Sequence, residues 1–138
     1  MHIEIFESAS PEVVQTVKCG MRQHTESRAA WEEYLDLTVV ARDEHGQILG
    51  AALSETGRTW LHISVIWVSE PMRRRGVGRK LIEATETEAR RRGCRNAYLD
   101  TFSYQAQPFY EQLGYAAFGI LQDYPPGHQR VFMSKPLA

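Results

Sequence analysis

Apolar residues change their period several times along this chain, and each change marks a predicted element. His2–Phe6 alternates apolar and polar positions, which predicts a short first strand. Ser10-Pro11-Glu12 then carries the signals of a helix start: a Ser cap, Pro at the first helical position and an acid in the first turn. Val13, Val14, Val17 and Met21 recur at helical spacing beyond it, although Gly20 weakens the second half. Thr25–Trp31 either continues this helix or forms another.

A period near two returns at Leu37–Arg42, a stretch rich in β-branched residues, and again at Ile48–Ser54. Asp43-Glu44-His45-Gly46 separates these runs as a turn, and Thr56-Gly57-Arg58 supplies the next. Trp60–Val68 is the longest apolar run and predicts a central strand, so the three together read as an antiparallel meander. Leu81, Ile82, Thr85 and Ala89 then fall on one helical face. Glu86 to Arg90 and Glu88 to Arg92 pair across one turn, and Gly93 gives the stop. Asn96–Phe102 predicts a strand, Gln105–Leu113 a short helix ended by Gly114, and Tyr115–Leu121 and Arg130–Lys135 two last strands. The order β-α-β-β-β-α-β-α-β-β predicts an α/β (α+β) fold, a mixed sheet flanked by helices, in one domain spanning residues 1–138.

Composition narrows the function. With 138 residues and 43% hydrophobic content the chain can bury a core, and its net charge of −1 argues against a general nucleic-acid partner. Cys19 and Cys94 have neither disulfide-framework nor metal-ligand spacing, which suggests reduced thiols. No apolar run is long enough to span a membrane and no signal-peptide pattern opens the chain, so the expected location is the cytoplasm and no membrane partner is expected.

The positive charge is local. Arg73-Arg74-Arg75-Gly76-Val77-Gly78-Arg79-Lys80 lies between the longest predicted strand and an amphipathic helix. Glycines let the backbone turn tightly, the helix start aims N–H groups at one point, and the arginines add full charges, so the stretch is suited to a pyrophosphate. A P-loop would require Gly-Lys-Ser/Thr, but Gly78 precedes Arg79, Lys80 and Leu81. A dinucleotide fingerprint would require a third small residue where Leu81 stands.

Arg73, Gly76 and Gly78 fit Arg/Gln-x-x-Gly-x-Gly/Ala, and Ser103–Tyr115 approximates a second pattern, Asn-x-x-Ala-x-x-Phe/Leu-Tyr-x-x-x-Gly-Phe/Tyr. With this pair of motifs the whole chain resembles the GNAT superfamily of acyl-CoA-dependent N-acetyltransferases. The resemblance implies a mostly antiparallel sheet, acetyl-CoA as co-substrate and no metal. It places the pyrophosphate on Arg73, Arg74, Arg75, Gly76, Val77, Gly78 and Arg79, and the pantetheine arm beside Ile66 and Val68. Ser103 departs from the family pattern, standing where many members have an Asn that touches the cofactor. Tyr110 is implied both to contact the cofactor and to act as general acid toward the leaving thiolate.

Acyl transfer to an amine also needs the ammonium deprotonated and the oxyanion stabilised. His62, on the long central strand, is the candidate base because imidazole titrates near neutrality. Glu70, just beyond the strand, is the alternative. The expected acceptor is a primary amine of a small molecule or a protein; a CoA-binding sensor or interaction module without catalysis is the competing reading. The Asp123–His128 loop could border the acceptor, form a homodimer contact or merely connect two strands.

Overall fold

The computed structural model describes residues 1–138, which divide into two compact units, Met1–Glu33 and Tyr34–Ala138. The first unit contains helix α1 (Pro11–Glu26). Ser10 caps it as the sequence predicts, its Oγ accepting the Val13 N–H at 3.3 Å, and Pro11 occupies the first turn. The helix ends at Glu26 with Ser27 as its C-cap, so Thr25–Trp31 neither prolongs it far nor forms a second helix. His2–Phe6 forms no strand. Its alternation sets which side each residue would face, but a strand exists only when its backbone finds a ladder, and no ladder includes these residues.

The second unit is built on a six-stranded sheet in the order β1-β2-β3-β4-β6-β5. Its strands are β1 (Leu35–Arg42), β2 (Ile48–Gly57), β3 (Trp60–Val68), β4 (Asn96–Phe102), β5 (Ala116–Gln122) and β6 (Gln129–Pro136). All neighbours are antiparallel except β3 and β4. Helix α2 (Val77–Arg91) and the short helix α3 (Gln107–Gln112) complete the unit. The observed order is therefore α-β-β-β-α-β-α-β-β, the expected architecture without its first strand.

Strand alternation sorts the side chains. Leu61 and Ile63 of β3, Ala97 and Leu99 of β4, and Val131 and Met133 of β6 are buried together with Ile82 and Ala89 of α2. Glu55, His62 and Tyr98 lie on the opposite face, in one row across β2, β3 and β4. A charged network is enclosed on the core side. Glu86 of α2 is buried, and its carboxylate accepts the Tyr115 hydroxyl at 2.8 Å and the Lys135 ammonium at 2.9 Å. Burial, followed by the charge of Glu86, pushes the Tyr115 phenol far above its ordinary value.

Two irregularities shape the functional faces. Leu53 and Ser54 of β2 face Val65 and Ile63 of β3, which leaves Ser64 as an extra residue, a β-bulge. A similar slip between Ala117 and Gly119 leaves Phe118 unmatched in β5. The β2–β3 hairpin turns on Arg58 and Thr59, both left-handed at φ 52° and 66°. Two positive φ angles match the twist of a tight hairpin, and Thr59 then offers its carbonyl to the Arg95 N–H at 2.8 Å, fixing the entry to β4.

Candidate active site

Strands β3 and β4 run parallel for only three rungs, Trp60–Asn96, Leu61–Ala97 and His62–Tyr98. Beyond the last rung they have no mutual ladder, and a cleft of about 850 Å³ opens there. Ile63, Ser64, Ile66 and Val68 line one wall, and Leu99, Asp100, Thr101 and Phe102 the other. An extended ligand with amide groups can pair with backbone exposed along such a split, much as an added strand would.

The arginine-glycine stretch lines the end of the cleft away from that last rung. Gly76 is left-handed at φ 83° and stands as the N-cap of α2, so the helix opens without a side-chain cap. Its first recorded backbone bond is Lys80 N–H to Gly76 carbonyl at 3.1 Å, which leaves the preceding first-turn amides available to a ligand. Gly78 lines the cleft, and a Cβ placed there would meet the Phe109 ring at 3.2 Å. The absent side chain therefore lets the Phe109 ring, which also lines the cleft, pack close against the start of α2. Arg74 and Arg79 also line the cleft, adding charge to the positive end of the helix dipole. These features fit a pyrophosphate.

Arg73 has a further role, because its Nε donates to the Val68 carbonyl at 3.0 Å and ties the loop to the end of β3. Arg75 is exposed and does not line the cleft. Ser103 also lies outside it. Its Oγ accepts the Gln129 N–H at 3.0 Å, and its own N–H donates to the Gln129 carbonyl, so it locks β4 to the start of β6. Gln105 and Ala106 line the cleft instead.

Tyr110 reaches the cleft from α3 and is 7% exposed. Burial, then the charge of Asp100, raises its phenol to about 12, so it remains a proton donor at neutral pH. Asp100 is a carboxylate in the cleft wall that the sequence patterns did not single out. The Arg130 guanidinium grips it at 2.8 and 2.9 Å, and Arg130 also donates to the Tyr124 hydroxyl at 3.0 Å. This hydrogen bonding raises the guanidinium well above its ordinary value.

His62 belongs to a neighbouring pocket of about 420 Å³ rather than to the cleft lining. It stacks on Tyr98 at 4.4 Å with the rings 7° from parallel, and its Nδ1 lies 3.7 Å from Glu55 Oε1. Because the His62–Tyr98 rung is the last before the strands part, this pocket adjoins the closed end of the cleft. Glu70 begins a one-turn 3-10 helix, is exposed, and lines neither cavity. Nor does any group of three or more His, Cys, Asp or Glu side chains assemble into a metal-holding arrangement.

The split pair of parallel strands thus carries an uncapped helix terminus at one end and the buried Tyr110 phenol along its side. The model of the Acetyltransferase (GNAT) family matches residues 4–115. An acetyltransferase of Agrobacterium fabrum is 28% identical over 135 residues, 98% of each protein. The crystal structure of an acetyltransferase from Bacillus cereus superposes with a TM-score of 0.86 at 30% identity, covering 99% of each chain. A Bacillus anthracis structure in complex with acetyl coenzyme A shares the fold at 21% identity and a TM-score of 0.66, over 73% of this chain and 62% of that one.

The chain belongs to the GNAT acetyltransferase family, and acetyl-CoA is its co-substrate.

Proposed function

We propose that the protein transfers the acetyl group of acetyl-CoA to a primary amine by direct attack on the thioester. The observation that carries this reading is the position of Tyr110, a phenol held protonated in the wall of a cleft whose far end is built for a pyrophosphate. Arg74, Gly76, Val77, Gly78 and Arg79 hold the phosphates, while Ile66 and Val68 provide the strand edge for the arm. Reactants aligned in this way gain much of their acceleration from proximity alone.

The remaining residues manage protons. His62, with Glu55 Oε1 3.7 Å from its Nδ1, takes the proton that the ammonium must lose before its nitrogen attacks. The C–N bond forms, the C–S bond breaks, Tyr110 gives its proton to the departing sulfur, and the second proton lost by the nitrogen restores the Tyr110 phenol. The backbone at the Ser64 bulge is the source of an N–H for the oxyanion. One proton is released to solvent overall, leaving an amide and a free thiol.

Incubation with acetyl-CoA and a panel of primary amines tests the reading. Thiol release dependent on an amine, with the acetylated amine identified by mass spectrometry, is the expected result. Tight CoA binding without thiol release from any amine would instead indicate a binding module.

A further inference from the structure

Resting on that reading of the reaction, we infer that the pocket beside the closed end of the cleft is the acceptor site, and that it takes a primary amine carried on a flat, aromatic body. The His62–Tyr98 stack forms its base on the sheet face opposite α2. Tyr34, which precedes β1, borders it on one side, and Phe118 of β5 borders it on the other. The β5 bulge makes Phe118 the unmatched residue of its strand, and bulges commonly re-aim a side chain. Trp60 meets the Tyr98 ring edge-on at 5.9 Å. Trp60 is 40% exposed and Phe118 63%, so aromatic area stands open to solvent around a cavity of ligand size.

The charges in this pocket are few and opposed. Glu55 is its one carboxylate and Arg58 its one permanent cation, and the Arg58 guanidinium lies 5.9 Å from the Tyr34 ring centre. A polyamine or an aminoglycoside carries several cations and calls for several carboxylates. One carboxylate beside four aromatic rings suits a single ammonium attached to a planar group, with the rings stacking on its body and contributing cation–π attraction. The ammonium then lies near Glu55 and His62, next to the rung at which the cleft begins. Arylalkylamines have this chemistry.

Steady-state kinetics on tryptamine, phenethylamine, spermidine and kanamycin, with wild type, Trp60→Ala, Phe118→Ala and Glu55→Gln, tests the assignment. The arylalkylamines should show the highest kcat/KM. Each aromatic variant should raise the tryptamine KM by about tenfold while the acetyl-CoA KM stays constant. Phe118→Ala keeps the test available if Trp60→Ala does not fold, since the Phe118 side chain is largely exposed. An unchanged tryptamine KM in Phe118→Ala, or a higher kcat/KM for kanamycin or spermidine, overturns the assignment. If no amine releases thiol, the transfer reading fails, and calorimetry with tryptamine decides the pocket separately. Binding to wild type that Phe118→Ala weakens supports the site, whereas no heat with wild type rejects it.

Discussion

Replacing Tyr110 by Phe removes one oxygen and keeps the ring that α3 packs into the core. The raised pKa of this phenol comes from burial and the charge of Asp100, with no hydrogen bond contributing. Loss of the hydroxyl should therefore change folding stability by less than about 1 kcal/mol. Its effect on turnover should be much larger. A positioned general acid is worth about 10²- to 10⁴-fold, which corresponds to roughly 3–5 kcal/mol of transition-state stabilisation. The assay is steady-state thiol release under saturating amine, with calorimetry of CoA binding and a denaturant titration on the same preparation. We expect kcat to fall by about 10²-fold or more while CoA affinity and the unfolding midpoint hold. A kcat within twofold of wild type would remove Tyr110 from the chemistry and leave it as a packing residue. A loss of CoA affinity with kcat preserved would place its role in binding the arm.

Other consequences can be checked independently. Gly78→Ala places a Cβ 3.2 Å from the Phe109 ring. Alanine is also the better helix former by about 1 kcal/mol, so stability should change little while the displaced Phe109 ring narrows the cleft and the KM for acetyl-CoA rises; an unchanged KM would remove this contact from donor binding. Lys135→Met leaves the buried Glu86 carboxylate without its nearer cation, and should cost about 3 kcal/mol in a urea titration; a change below about 0.5 kcal/mol would show that Tyr115 and Arg90 suffice. The folded-state pKa of Tyr110 is raised from 10.0 to about 12, so its contribution to stability is fully present below pH 10 and is lost as pH rises through 12. Stability measured from pH 9 to pH 12 should therefore fall less steeply in Tyr110→Phe than in wild type; equal slopes would assign the fall to other groups.

Local signals accounted for the elements that depend on local physics. The Ser10 cap, the α2 face carrying Leu81, Ile82, Thr85 and Ala89, and the long β3 run are each visible in a few neighbouring residues. His2–Phe6 misled because alternation reports a face and says nothing about a partner. The arginine-glycine end of the cleft was legible because glycines and arginines adjacent in sequence remain adjacent in space.

The opposite face was not legible, since it depends on register between distant strands. Glu55 meets His62 only through the β2–β3 pairing, and Asp100 meets Arg130 across β4 and β6. Nothing local marks Phe118 as the unmatched residue of a bulge. Ser103 adds a contact that no motif announces. It stands at the pattern's first position, and its hydroxyl and N–H both engage Gln129 across the β4–β6 pair.

In the proposed reaction the split between β3 and β4 holds the donor with its sulfur against Tyr110. A crystal structure with CoA tests it most directly. Pyrophosphate oxygens should lie on the amides at the start of α2, the arm between Ile66 and Thr101, and the sulfur within hydrogen-bonding reach of the Tyr110 hydroxyl. A sulfur directed away from Tyr110, or phosphates bound anywhere other than the Arg74–Arg79 turn, would contradict it.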